Sequence, residues 1–248
     1  MKKNIFKNSS RKTLSLFTTA GFPKLDSLVG QLELFERHGV DFVEVGIPFS
    51  DPMADGPVIQ NSSMKALQNG MNLNILFEQL NQRRSTLPLV LMGYINPLLQ
   101  FGLEKFLTKA QKAGVSGLVL PDLSAELYEK RYQMIFERYN IPVCFLVTPL
   151  TDDERIQRAA KFSHDGFLYL VSSNSTTGGI GSDYNSLQER YQTIKQLAGE
   201  TPVIIGFGIR DRESFERATL HVDGGIIGSA LIQAIEKNKE EDFIVEIR

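Results

Sequence analysis

Short apolar runs alternate with longer amphipathic stretches along the whole chain. The first run, TLSLFT (13–18), precedes LDSLVGQLELFERHG, whose apolar residues at 25, 28, 29, 32 and 35 have helical spacing, with Gly39 as the stop. DFVEVGI (41–47) is the second run, and a mixed, partly helical stretch over about 58–84 leads to PLVLMGY (88–94). Leu103, Phe106, Leu107, Ala110 and Ala113 predict a helix closed by Gly114. SGLVLPD (116–122) precedes a helix over about 125–139, and PVCFLVTP (142–149) follows it. Thr151-Asp152-Asp153-Glu154 has capping-box spacing, with acids in the first turn of a helix that runs to about Phe162. GFLYLVSS (166–173), a helix over about 186–198, PVIIGFG (202–208), a helix near Asp211 to Ala218, HVDGGIIGS (221–229) and a last helix complete the chain.

That makes eight strand-like runs, each followed by a helical segment. Strict alternation predicts a parallel sheet with right-handed crossovers. Eight such units in 248 residues is the size of a (β/α)8 TIM barrel, an α/β fold in one domain spanning 1–248. The runner-up is a doubly wound open sheet. Against it, the first strand–helix turn, TTAGFPK, has no dinucleotide fingerprint. No linker, low-complexity segment or charge block divides the chain.

Composition narrows the function classes. Hydrophobic residues at 42% and charged residues at 23% are ordinary for a soluble globular protein. A net charge of −2 gives no nucleic-acid footprint and no polybasic membrane patch. The basic start, MKKNIFKNSSRK, is not followed by an uninterrupted apolar region, so no secretory signal is expected. No apolar stretch approaches a membrane span, and the expected location is the cytoplasm. The single cysteine, Cys144, lies in the apolar run IPVCFLV and reads as a buried, inert thiol. The histidines His38, His164 and His221 are scattered without metal-ligand spacing, so no metal site is expected.

In such barrels the active site lies at the C-terminal ends of the strands. The candidates are therefore Phe17, Glu44 to Asp55, Tyr94, Asn96, Asp122, Thr148, Ser172 to Gly181, Gly206 to Gly208, Gly228 and Ser229. Side chains alternate across a strand, so Phe42, Glu44 and Gly46 share one face and Val43, Val45 and Ile47 the other. The β-branched set suits packing under the outer helices, which points Glu44 into the barrel. Desolvation there raises a carboxyl pKa toward neutrality, as general acid–base catalysis needs. A structural glutamate paired with a basic residue deeper in the barrel is the plainer alternative. Asp51 and Asp55 follow in a proline-rich loop, SDPMADGP, where each alone could be a turn former or N-cap. Beside Glu44, they read as a second carboxylate delivered over the barrel mouth.

Glycines form a separate signal. GFG (206–208) and GGIIGS (224–229) end the last two runs, where barrels of this kind place phosphate sites. The Ser229 hydroxyl adds a donor. VSSNSTTGGIGSD (171–183) is long and small-residued, and reads as a lid in which Thr177, Gly178 and Gly179 reach a phosphate or cover the mouth. A loop with no part in the site is the alternative. No nucleophilic Ser or Cys constellation is evident, and none of the runs carries an interior Schiff-base lysine. The residues alone describe a barrel enzyme that holds a phosphorylated metabolite and works on it with two carboxylates.

VEVGIPFSDPMADGPVIQ (43–60) resembles the signature of the tryptophan synthase alpha subunit family. The similarity continues in LMGYINPLLQFG (91–102), GLVLPDL (117–123), FLYLVSSNSTTGG (167–179), GFGI (206–209) and GGIIGSA (224–230), in order and at family spacing. The resemblance implies a TIM barrel that cleaves indole-3-glycerol phosphate, by a retro-aldol step, into indole and glyceraldehyde 3-phosphate. It implies that Glu44 moves protons at indole C3 and the glycerol hydroxyl, and that Asp55 stabilises the indole nitrogen. It places Phe17, Tyr94, Val119, Tyr169 and Phe207 around the indole, and Gly178, Gly208, Gly228 and Ser229 at the phosphate. Asp51 matches a position that communicates with a partner beta subunit, with Thr177 in the lid. The beta subunit binds pyridoxal phosphate and joins indole to serine within an alpha2-beta2 heterotetramer, so pyridoxal phosphate is not expected in this chain.

Two departures stand out. Gly21-Phe22-Pro23 replaces the family's frequent G-D-P, and Ser173 and Ser175 stand where an arginine and a glycine are frequent. They bear on lid closure and coupling to the partner. Two rival readings remain: another phosphate-binding barrel enzyme with different acid–base residues, and a scaffold subunit that only activates its partner.

Overall fold

The computed structural model describes residues 11–172, 184–206 and 208–248. Phe207, Ser173, Ser175, Thr177 and Gly178 lie outside the described residues, as does the basic segment 1–10.

Among the described residues, nine parallel strands form one sheet. They are β1 (Thr13–Thr19), β2 (Phe42–Gly46), β3 (Leu89–Met92), β4 (Gly117–Val119), β5 (Val143–Cys144), β6 (Leu146–Val147), β7 (Leu168–Val171), β8 (Val203–Gly206) and β9 (Gly224–Ile227). Their spatial order is β5-β4-β3-β2-β1-β9-β8-β7-β6. Each of the predicted apolar runs supplies a strand, and the fifth supplies two. The run breaks at Phe145, whose N–H turns to Ser163 Oγ (3.0 Å) while its carbonyl still accepts from Tyr169 N–H (2.9 Å). β5 pairs with β4 and β6 with β7, so both ends of the sheet belong to one run and the barrel closes through Phe145.

The helices are α1 (Ser27–Arg37), α2 (Pro57–Gln68), α3 (Leu73–Gln82), α4 (Ile95–Phe101), α5 (Leu103–Lys112), α6 (Ala125–Leu127), α7 (Gln133–Arg138), α8 (Asp153–Phe162), α9 (Tyr184–Ala198), α10 (Arg212–Ala218), α11 (Ser229–Glu236) and α12 (Glu240–Ile247). A π-helical turn, Tyr128–Tyr132, joins α6 to α7. The mixed stretch before β3 resolves into α2 and α3, and the last helix into α11 and α12. α4 is an addition that the apolar periodicity did not predict. The side chain of its N-cap, Tyr94, does not cap it, and the Ile95 N–H instead reaches both oxygens of Asp122 (3.0 and 3.1 Å). The capping of α8 is shifted by one residue from the predicted box. Asp152 accepts from Arg155 N–H (2.9 Å), whereas the Thr151 hydroxyl accepts from Thr148 N–H (2.9 Å) and shapes the preceding turn.

The expected two faces of β2 are present. Phe42 packs on Phe167 inside the barrel, with ring centroids 5.4 Å apart, and Phe167 in turn meets Tyr169 at 6.1 Å. Val43 and Val45 are fully buried on the opposite face. Each such large apolar side chain contributes about 1.5–3 kcal/mol relative to exposure. This packed floor lies beneath the cavity at the C-terminal ends of the strands. Among the described residues no helix is long and apolar enough to cross a membrane.

Candidate active site

β2 carries Glu44 into the barrel beside Phe17 of β1, its partner in register, and Val90 of β3. The carboxyl is 1% exposed, and among the described residues its Oε1 has no hydrogen-bond partner. Among the described residues no basic group acts on it, as a structural glutamate paired deeper in the barrel would require. Burial, reinforced by the charge of Asp55, pushes Glu44 up from 4.5 to about 8.

Asp55 comes from the loop that joins β2 to α2. The N-cap of α2 is Gly56, with Pro57 opening the helix, and no side chain caps it, so Asp55 is not spent there. Its Oδ2 instead accepts from the Tyr94 hydroxyl (3.3 Å), which itself accepts from Ala54 N–H (2.9 Å). Tyr94 thus clamps the loop to the end of β3. Burial pushes Asp55 up from 3.8 to about 6, opposed by the Tyr94 hydrogen bond. Burial and then the Asp55 charge hold the Tyr94 hydroxyl well above its ordinary value, and burial and then the Glu44 charge do the same to Tyr169. Both phenols stay protonated near neutrality.

Glu44 and Asp55 share one cavity of about 470 Å³. Its wall includes Phe17, Ile59, Met92, Tyr169 and Ile226, apolar side chains that suit an apolar ring. Tyr169 can reach it because β8 offers no side chain at Gly206, where a Cβ would sit 2.2 Å from the Tyr169 hydroxyl. Farther along the wall lie Gly208, Gly228 and Ser229, together with Ile209, Arg210, Ser214, Arg217, Ala230 and Gln233. Ser229 opens α11, so unpaired backbone N–H groups and the positive end of the helix dipole face this region.

The remaining predicted residues fall elsewhere. Val119 is fully buried and does not line the cavity, and Tyr94 stands behind Asp55 rather than on the wall. Asp51 is exposed at the mouth, where its carboxylate accepts from the Ser50 hydroxyl. Asp122, a strand-end candidate, holds the start of α4. Phe22 is buried, and its carbonyl accepts from Gln31 Nε2 (3.0 Å), so this departure serves packing. Cys144 is buried, and burial pushes its thiol up to about 12. Sequence reading missed Ile59, Met92, Ile226, Ser214, Gln233 and the two arginines. A helical step from Ser229 would have pointed to Gln233. No local signal marked the others. Among the described residues no cluster of three or more metal-ligating side chains occurs.

Comparison with known proteins gives the family and agrees with the fold. The chain matches the family described as tryptophan synthase alpha chain over residues 4–247. It is 45% identical over 244 residues to the tryptophan synthase alpha chain of Flavobacterium johnsoniae, covering 96% of each chain. It is 44% identical over 241 residues to that of Bacteroides thetaiotaomicron, covering 96% of this chain and 93% of the relative. The solved alpha subunit from Legionella pneumophila str. Paris superposes with a TM-score of 0.83 at 29% identity, over 96% of this chain and 91% of that one. A chain of tryptophan synthase from M. tuberculosis in its aminoacrylate-bound form does so with a TM-score of 0.84 at 27% identity, over 96% and 92%. A (β/α)8 barrel with two carboxylates at the end of its second strand, matched along almost its whole length, belongs to the tryptophan synthase alpha chain family.

Proposed function

We propose that Glu44 and Asp55 carry the cleavage of indole-3-glycerol phosphate to indole and D-glyceraldehyde 3-phosphate, the lyase half-reaction of this family in L-tryptophan biosynthesis. The observation that carries the assignment is the split environment of two carboxyls on one cavity wall, one held near 8 and the other near 6. Near neutrality the first is protonated and the second ionised, which separates their roles.

The Asp55 carboxylate accepts the indole N–H and stabilises positive charge as the ring is protonated. Glu44 gives its proton to C3, which breaks the aromaticity of the five-membered ring. Its conjugate base then takes the proton of the glycerol hydroxyl next to the ring. The bond from C3 to that carbon breaks, its electron pair returns to the ring, and the hydroxyl carbon leaves as the aldehyde. Glu44 ends protonated, as it began. The orphaned Oε1 supports this assignment, since among the described residues nothing satisfies this buried oxygen and a ligand in the cavity would. It also disfavours a purely regulatory chain, in which nothing would offset the burial.

Phe17 and Tyr169 bracket the indole, with Tyr94 fixing Asp55. Gly208, Gly228 and Ser229 receive the phosphate, and by family resemblance Gly178 would join them, with Phe207 at the indole and Thr177 in the lid. Indole passes to the beta subunit, which supplies the pyridoxal phosphate chemistry. Asp51, exposed at the mouth, is placed to meet that partner. No cofactor is assigned to this chain, and its setting is the cytoplasm.

Indole release from indole-3-glycerol phosphate by the purified chain, with and without a cognate beta subunit, tests the reading. Slow release that accelerates with the partner is expected. No release in either condition from a folded chain that still activates the beta subunit would leave a regulatory relative.

A further inference from the structure

Four charged side chains line the cavity among the described residues, and they are sorted by sign: Glu44 and Asp55 from the second strand and its loop, Arg210 and Arg217 from the turn after β8 and from α10. Gly208, Gly228 and Ser229 lie on the same wall as the arginines. They offer backbone N–H groups and a hydroxyl, which are neutral donors. The start of α11 adds about half a positive charge. A phosphate monoester near neutrality carries close to two negative charges, so this cradle alone leaves most of the charge unbalanced.

We infer that Arg217, assisted by Arg210, contacts the substrate phosphate at the open end of the cavity and sets the preference for a phosphorylated over an unphosphorylated side chain. This rests on the proposed lyase reading.

The local hydrogen bonds leave these two guanidinium groups available. The Ser214 hydroxyl is committed, accepting from Arg210 N–H and Asp211 N–H (both 3.0 Å) and donating to the Asp211 carbonyl (2.9 Å). Asp211 Oδ1 is committed to Ser214 N–H (2.8 Å). Arg210 meets Asp211 Oδ2 only at 3.6 Å, and Arg217 meets Glu213 only at 3.9 Å. Their side chains are 79% and 54% exposed, so these are loose, water-screened pairs that are given up at little cost. A phosphate offers shorter, charge-assisted and bidentate bonds in exchange. Arg212 supplies a contrast: it is held by Glu216 at 2.9 Å and does not line the cavity.

The test compares Arg217→Ala, Arg210→Ala, the double variant, Arg217→Lys and Arg212→Ala, each with the cognate beta subunit. KM and kcat for indole-3-glycerol phosphate are measured at low and high salt, together with inhibition by glycerol 3-phosphate. The double variant should raise KM and weaken the inhibitor about tenfold or more, as loss of a charged hydrogen bond does. The loss should fall on KM rather than kcat, and the salt dependence should flatten. Arg217→Lys should recover only part of the affinity, and Arg212→Ala should change neither constant. If KM, inhibition and salt dependence stay as in the parent while Ser229→Ala still raises KM, the arginines play no part and the inference falls alone. If Ser229→Ala and the double variant both leave KM untouched, the phosphate end itself is misassigned.

Discussion

The two ends of the cavity handle charge in opposite ways. At the carboxylate end, Glu44 is taken almost wholly out of water and Asp55 is clamped beneath Tyr94. At the other end, Arg210 and Arg217 remain mostly in water beside glycine backbone. The first arrangement changes what a group is, because burial moves its proton affinity. The second changes only what can be held, because exposed charge and free N–H groups keep their ordinary chemistry. Variants at the carboxylate end should therefore act on kcat and its pH dependence, and variants at the other end on KM and its salt dependence.

Glu44→Gln gives the largest expected effect. Loss of the acid should lower kcat by about 10²–10⁴-fold while substrate affinity is kept. The same variant reports on stability. Unfolded, Glu44 titrates near 4.5, but folded it keeps its proton to about 8. Between those values the native state holds more protons than the unfolded chain, so stability falls as pH rises, by about 1.4 kcal/mol per unit at most. Below 4.5 both forms are protonated and the contribution is complete. Asp55 adds a fall of the same sign between 3.8 and about 6. Denaturant midpoints at pH 6 and pH 8 should therefore differ less in Glu44→Gln than in the parent. Equal pH dependence in both would mean that Glu44 is not titrating in this window.

Asp55→Asn comes next, with kcat lowered about 10²-fold, near the low end of what a positioned acid–base or charged group supplies. The parent should show a bell in kcat/KM with limbs near 6 and 8, since the active form has Asp55 ionised and Glu44 protonated. In Asp55→Asn the lower limb should vanish. The upper limb should move down only in part, because burial is the larger cause of the Glu44 shift and the Asp55 charge the smaller. An upper limb that collapses to the ordinary carboxylate range would reverse that ranking.

The same contrast explains how much was legible in the chain. Glu44 was legible because strand alternation alone decides which way a side chain points, and its neighbours Val43 and Val45 fix the other face. The eight β/α units were legible for the same local reason. Asp55 was suspected from its loop, but the bond that positions it comes from Tyr94, 39 residues away, and no spacing rule carries that. Asp122 looked as promising at its strand end and turned out to serve the first turn of α4. The break at Phe145 depends on Ser163 and Tyr169, and the cavity wall depends on the closed barrel bringing α11 beside β1. Local periodicity reads direction; it does not read which distant strand ends meet.

Tyr94→Phe should have a smaller effect, up to about tenfold on kcat/KM at pH 7, because its bond to the Asp55 carboxylate is long, at 3.3 Å, and belongs at the low end of the about 1.5–3 kcal/mol of a hydrogen bond to a charged group. The hydrogen bond from Tyr94 lowers the Asp55 pKa, so its removal should move the lower limb of the bell above about 6. Ala54 N–H also loses its acceptor, which loosens the loop that delivers Asp55. A profile with an unmoved lower limb would show that Tyr94 acts on packing alone.

The smallest effects belong to two glycines at the anion end, and they separate backbone from contact. Gly208 has φ +75°, so Gly208→Ala forces a side chain into the left-handed region, at a cost of about 1–2 kcal/mol. Gly228 has φ −112°, and an added Cβ would meet Phe17 at 3.5 Å, an ordinary contact. Gly208→Ala should therefore lower the melting temperature and raise KM together, because the turn that presents its N–H is strained. Gly228→Ala should leave the melting temperature near that of the parent, so that any rise in KM reports the approach of the ligand itself. A KM rise in Gly228→Ala without a thermal shift would tie this end to the phosphate more directly than any strained variant can. An unchanged KM there would confine phosphate recognition to Ser229, Gly208 and the arginines.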